Sequence, residues 1–299
     1  MNKTWFISAA CLLLAVSLMV WGLSGRSEDY AEGARFYALL ADDLGTEVLQ
    51  LKHGAQEAAD ELGAEIEFLT AARNQPLEQA YLEKLEEVAR AQPDGIILPA
   101  GAESTLVRAL EIGIMLGIPV VCLFDTEEAG AVSVMTDFEA LGRMMGVNAL
   151  NAGDVGEAVA LLTGEPREER MLKGLRDKIP HVEEIRVDGK TIVAEQVAAL
   201  GSEAALFALS PQLTLRLAAA AGERRCWGMD PGDVRVTLLA DGIMYGLAFQ
   251  MPYAQGYQAI RAAYDKRMEV RSVVVPSRIV TRETMYLSEN VKLMFPLLQ

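Results

Sequence analysis

From Arg35 onward the chain alternates short apolar runs with segments whose apolar residues recur every three to four positions. That rhythm dictates βαβ units around a mostly parallel sheet. The first predicted strand is Phe36-Tyr37-Ala38-Leu39-Leu40, followed by a helix with a stripe of Val48, Leu51, Ala55, Ala58 and Leu62 that Gly63 stops. Strand Glu65–Leu69 and a helix through Leu77, Tyr81, Leu85 and Val88 come next. Pro93-Asp94-Gly95 then turns into Ile96-Ile97-Leu98-Pro99. A helix over Ser104–Leu116 and strands Pro119–Phe124 and Ala131–Val134 complete a first lobe of about 110 residues.

The rhythm restarts with a helix over Asp137–Asn151. Strands are predicted at Ala158–Leu162, Glu184–Val187, Ala204–Ala208 and Arg225–Met229, with helices near 168–178, 193–200 and 212–221 between them. Two lobes of this kind suit 299 residues, because single cores stop growing near roughly 250 to 300 residues. With 51% hydrophobic and 23% charged residues, disorder and disulfide-scaffold architectures are excluded.

Residues 1–26 differ in kind. Lys3 is followed by no charge until Arg26, and Trp5–Leu23 is a nearly continuous apolar stretch of 19 residues, long enough to cross a bilayer. It lacks a small-residue cleavage site of the A-x-A kind, so the expectation is an uncleaved signal anchor rather than a signal peptide. Residues 27–34 read as a linker, with the bulk of the chain outside the cytoplasm. Residues 1–26 hold two of the 27 basic residues and none of the 42 acids, so the remainder carries −17. Such a body repels phosphate backbones and anionic headgroups, which argues against nucleic acid and peripheral membrane partners. Cys122 and Cys226 read as buried free thiols within strands.

No Gly-x-Gly-x-x-Gly, Walker loop, His-Glu-x-x-His or Gly-x-Ser-x-Gly is present. The histidines, His53 and His181, lie apart, and histidine and cysteine are too sparse for a zinc cluster. No catalytic residue, no cofactor and no resident metal are therefore expected. A helix-turn-helix is also missing from residues 1–34, which disfavours a repressor.

Five segments carry a family resemblance: Gly54-Ala55-Gln56-Glu57-Ala58-Ala59, Asp94-Gly95-Ile96-Ile97-Leu98-Pro99, Gly117-Ile118-Pro119-Val120-Val121, Gly228-Met229-Asp230 and Gln250-Met251-Pro252-Tyr253-Ala254-Gln255-Gly256-Tyr257. Their order and spacing resemble the type I periplasmic sugar-binding proteins of the ribose and galactose kind, over about Arg35 to Glu283. The resemblance implies two Rossmann-like lobes with parallel sheets, joined by a three-crossing hinge and closing on a ligand at the strand ends, here behind an N-terminal transmembrane helix. The lobes would be 35–136 with 251–275, and 137–250 with 276–299.

It also implies contact residues. Asp125, after a first-lobe strand, and Asp230, after a second-lobe strand, would accept ligand hydroxyls; each also reads as a turn or cap residue. Gln250 stands at a crossing and would reach ligand or hinge. Arg170 would come from the second lobe, with Arg167 competing. Ser210 stands where the family has an Asn-Asp pair, and would touch ligand or cap the next helix. The first loop departs most: Gly45, Thr46, Glu47 and Val48 replace Asn-Pro and two aromatic residues. Asp42, Asp43 and Glu47 cluster there instead, which admits a cationic or amine-bearing ligand, or a metal ion, beside a sugar. Asp43 and Glu47 join the candidate contacts. The implied partners are a small polar, sugar-like ligand and a membrane permease of an ABC importer; the alternative is a membrane histidine kinase or chemoreceptor that reads the closed form.

Overall fold

Strands that are apolar on both sides need a helix layer on each face of a sheet, and the chain supplies this arrangement twice. The computed structural model describes residues 33–41, 46–71, 76–153, 156–188, 193–265 and 271–294. The proposed N-terminal membrane segment lies outside them. No helix among the described residues is long and apolar enough to cross a membrane.

The strands are β1 (Arg35–Ala41), β2 (Glu65–Ala71), β3 (Gly95–Leu98), β4 (Val120–Cys122), β5 (Ala131–Thr136), β6 (Ala158–Leu162), β7 (Val182–Arg186), β8 (Ala205–Ala208), β9 (Cys226–Met229), β10 (Gly246–Phe249), β11 (Ser272–Val275) and β12 (Arg278–Thr281). The helices are α1 (Thr46–Glu61), α2 (Leu77–Ala91), α3 (Leu106–Leu116), α4 (Phe138–Asn151), α5 (Pro166–Arg176), α6 (Val193–Ala198), α7 (Pro211–Ala218), α8 (Arg235–Ala240), α9 (Pro252–Tyr264) and α10 (Ser288–Met294). One six-stranded sheet has the order β11-β5-β4-β3-β1-β2, and the other β12-β10-β9-β8-β6-β7. All pairs are parallel except β10 with β12. The central strands β3, β4, β6, β8, β9 and β10 are buried on both faces, as parallel strands covered by helices must be. The edge strands β2 and β7 expose Glu65, Glu67, Glu183 and Glu184, charges that discourage pairing with another chain.

Period-two alternation divides each core. In the first sheet Phe36, Ala38, Ile97, Val121 and Val134 face α1 and α9, while Tyr37, Leu39, Ile96, Leu98 and Cys122 face α2 and α3. In the second sheet Ala160, Leu162, Phe207 and Trp227 face α4 and α5, and Val159, Leu161, Leu206 and Leu247 face α6, α7, α8 and α10. Cys122 and Cys226 are both buried, one in each sheet. Burial pushes the Cys122 thiol up to about 12, which keeps it protonated and unreactive. Two helix pairs meet through reciprocal glycines. A methyl group at Gly54 would strike the Tyr253 carbonyl and one at Gly256 the Leu51 carbonyl, closing α1 on α9. Gly142 and Gly174 stand in the same relation to Met171 and Glu139, closing α4 on α5.

The chain passes between the sheets three times, each through one or two residues. Asp137 follows β5 and caps α4, its Oδ1 accepting from the Ala140 N–H at 2.8 Å. Gln250 and Met251 join β10 to α9, and Pro276 and Ser277 join β11 to β12. The α3 helix is apolar on both faces: Leu106, Ala109 and Ile112 are buried, while Val107, Ile114 and Met115 face solvent.

Candidate functional site

The carboxyl ends of parallel strands are where open α/β sheets collect ligands, and the register brings several of the expected residues there. In the second sheet Ala208 pairs with Gly228 and Ala248 with Met229, so extending the register sets Ser210 beside Asp230 and puts Gln250 one step further along the next strand. In the first sheet Leu98 pairs with Cys122, and Leu123 N–H donates to the Leu98 carbonyl at 2.8 Å, delivering Asp125 just past β4. The buried Ser133 and the half-buried Gln255 fix the Asp125–Thr126 loop. Ser133 Oγ accepts from Thr126 N–H at 3.1 Å, and Gln255 Nε2 donates to the carbonyls of Leu123 (3.2 Å) and Val134 (2.9 Å).

Arg170 reaches Asp125 from the opposite sheet, Nη1 donating to Oδ2 at 2.8 Å. Its helix is aimed by an unusually well-held start: Pro166 occupies the first helical position, and Glu165 and Glu168 form a capping box. The buried Glu168 carboxylate accepts from the N–H groups of Thr163 (2.6 Å), Gly164 (2.9 Å) and Glu165 (3.2 Å) and from the Thr163 hydroxyl (2.8 Å). Arg167 instead pairs with Glu165 at 2.8 Å. Of the two competing arginines, Arg170 is the one that bridges the lobes.

Asp230 sits deeper. Its Oδ1 accepts from Gly232 N–H at 3.0 Å and lies 3.0 Å from Nε of Arg235, which is 5% exposed. Burial pushes the Asp230 carboxyl up to about 6. The Arg235 guanidinium and the Gly232 amide pull it down, and Glu47 and Asp233 push it up further. Arg235 is itself held three ways: Nε donates to Gly232 O at 2.7 Å, Nη1 donates to Leu293 O of α10 at 2.7 Å, and the guanidinium lies 5.7 Å from the Phe249 ring.

Among the described residues, Glu47 and Gln50 of α1 and Asp230, Arg235, Gln250 and Leu293 of the other lobe line one cavity of about 10 Å³, room for roughly one water molecule. Groups from both lobes thus meet. Ser210 is 2% exposed, and although it precedes α7 its hydroxyl makes neither a cap nor any other hydrogen bond. Asp43 lies outside the described residues. The structure therefore gathers Glu47, Asp230 and Gln250, pairs Asp125 with Arg170, and buries Ser210 one strand from Asp230. Sequence reasoning missed Arg235, Gln50 and the support from Gln255. An arginine between valines, Val234-Arg235-Val236, five residues after a candidate contact was the one available signal. No cluster of three metal-binding side chains occurs among the described residues.

The profile of the family described as periplasmic binding protein domain matches residues 37–267. A search of curated proteins finds no match. Among solved structures, a periplasmic ribose ABC transporter protein from Conexibacter woesei superposes with a TM-score of 0.75 at 18% identity, covering 89% of this chain and 96% of that one. GanP, a glucose-galactose binding protein from Geobacillus stearothermophilus, gives 0.69 at 19%, covering 86% and 100%. A XylFII–LytSN complex gives 0.65 at 18%, covering 84% and 99%. At these identities the likeness speaks to the fold, which is the two-lobed α/β arrangement described above. The match over residues 37–267, in agreement with the five sequence segments, establishes that the chain belongs to the periplasmic binding protein domain family, a ligand-binding and non-enzymatic class.

Proposed function

We propose that the protein is an extracytoplasmic solute-binding protein that captures a small polar ligand, a sugar or sugar-like molecule, between its lobes for ABC-type import. The observation that carries this reading is the convergence of Glu47 and Gln50 from one lobe with Asp230 and Gln250 from the other on a single cavity. A ligand that touches both lobes stabilises the closed arrangement over the open one and shifts that population. The proposed contacts are Asp43, Glu47, Asp125, Arg170, Ser210, Asp230 and Gln250. The buried hydroxyl of Ser210, without a partner, supports its place among them, since such groups are costly unless something completes them. The lobes are proposed as 35–136 with 251–275 and 137–250 with 276–299, with residues 1–26 as a membrane anchor.

A second reading, a sensing subunit whose closed form is read by a membrane kinase, draws support from the uncleaved-anchor reading of residues 1–26. The fold it shares with the XylFII component of a XylFII–LytSN complex also favours it. Thermal unfolding of the protein against monosaccharides, polyols, nucleosides and amines tests the ligand class, because a ligand that binds only the native form raises the melting temperature. A monosaccharide that stabilises the wild type and fails to stabilise Asp230→Ala supports the site. A stabilising ligand indifferent to that substitution removes Asp230 from it.

A further inference from the structure

We infer that Arg235 is a specificity-determining residue that sets the charge class of the ligand: beside Asp230 it makes the cavity floor a neutral donor–acceptor pair suited to an uncharged polyhydroxyl compound and closed to amines. The inference rests on the ligand-binding reading above and narrows it. An acidic first loop and a body carrying −17 leave a cationic ligand open on sequence grounds. The geometry argues the other way. The two candidate carboxylates Asp230 and Asp125 each carry an arginine, Arg235 at 3.0 Å and Arg170 at 2.8 Å.

The Asp230–Arg235 pair is the more rigid of the two, with side chains 15% and 6% exposed. Asp230 commits Oδ1 to Gly232 and Arg235, so Oδ2 has no partner among the described residues. Arg235 commits Nε and Nη1 to carbonyls, so Nη2 has none either. Both residues line the cavity. An acceptor and a donor fixed together match neighbouring hydroxyls, one donating and one accepting. An ammonium group set against Oδ2 would share a cavity of about 10 Å³ with a guanidinium that cannot lose its proton. Glu47, from the facing lobe, lines the same cavity and acts on Asp230, as does Asp233. Arg235 is held by the Leu293 and Gly232 carbonyls rather than by ligand, so the pair is in place before anything binds.

The test measures, by calorimetry with the full chain, affinity for neutral monosaccharides beside their 2-amino and uronate counterparts. Wild type is expected to bind the neutral form at least tenfold more tightly than the amino form. Arg235→Gln should shrink that ratio tenfold or more, and Arg235→Lys, which keeps the charge, should preserve it. If Arg235→Gln does not fold, Asp230→Asn leaves the carbonyl contacts of Arg235 in place and should shift preference toward the uronate. A wild type that favours the amino sugar, or a ratio unmoved by both the Gln and Asn variants, overturns the assignment while the solute-binding reading stands. Absence of binding to any member of the panel overturns both.

Discussion

The carboxyl of Asp230 is contested between burial and a paired arginine, and the winner can be read from how stability changes with pH. Burial prevails, raising the group from 3.8 to about 6. The native state therefore holds its proton more firmly than the unfolded chain does. The stabilisation is complete below the unfolded value near 3.8 and is lost as pH rises through 6. Its size follows from 1.36 kcal/mol per pKa unit, about 2 to 3 kcal/mol between pH 4 and pH 7.5. Glu139, held below its usual value by hydrogen bonds from Lys173 and Arg143, contributes with the opposite sign, a stabilisation lost as pH falls. The wild type is therefore compared with Asp230→Asn, which cannot ionise, by urea unfolding at several pH values. Relative to the variant, the wild type should lose about 2 to 3 kcal/mol from pH 4 to 7.5, or roughly 5 °C in melting temperature for a chain of this size. A constant difference would mean that burial and the ion pair cancel. A difference of opposite sign would mean that Arg235 dominates, and either result refutes the reasoning.

Three further outcomes are expected. A double-mutant cycle on Asp125 and Arg170, both well exposed, should give a coupling of about 0 to 1 kcal/mol in stability that fades in molar salt. Gly54→Ala and Gly142→Ala should each cost about 1 to 3 kcal/mol by thermal unfolding, since the added methyl meets a backbone carbonyl that must shift. Ile114→Gln, on the outer face of α3, should alter stability by no more than about 0.5 kcal/mol, while Ile112→Ala, one turn-face inward, should cost about 2 to 5 kcal/mol.

Much of the fold was legible because apolar spacing reports burial directly. Ile96-Ile97-Leu98 had to be a strand covered on both faces, and Val48 to Leu62 had to be a helix. Shortfalls lie where tertiary context decides. The strand expected over Pro119–Phe124 forms ladder pairs only over Val120–Cys122, since beyond Cys122 the chain turns toward the cleft. Helix α5 starts at Pro166 rather than near 168, as a proline at the first helical position and a glutamate cap allow. For the site, strand-end residues such as Asp230 stand out in sequence because they follow an apolar run. Arg235 does not, because besides Asp230 its partners are backbone carbonyls, one of them 58 positions away in Leu293, and carbonyls leave no trace in residue type.

The brevity of the three connections between the sheets has a thermodynamic consequence. Links of one or two residues let the lobes swing through a few backbone dihedrals but give them no length over which to drift apart, so each faces the other at a very high effective concentration. The translational cost of bringing two separate surfaces together is met once, when the polypeptide folds, and does not recur at each capture. Every 1.4 kcal/mol of extra contact then multiplies the ratio of shut to gaping molecules about tenfold. A guest making only a handful of hydrogen bonds to each side is enough to set the posture of the whole molecule.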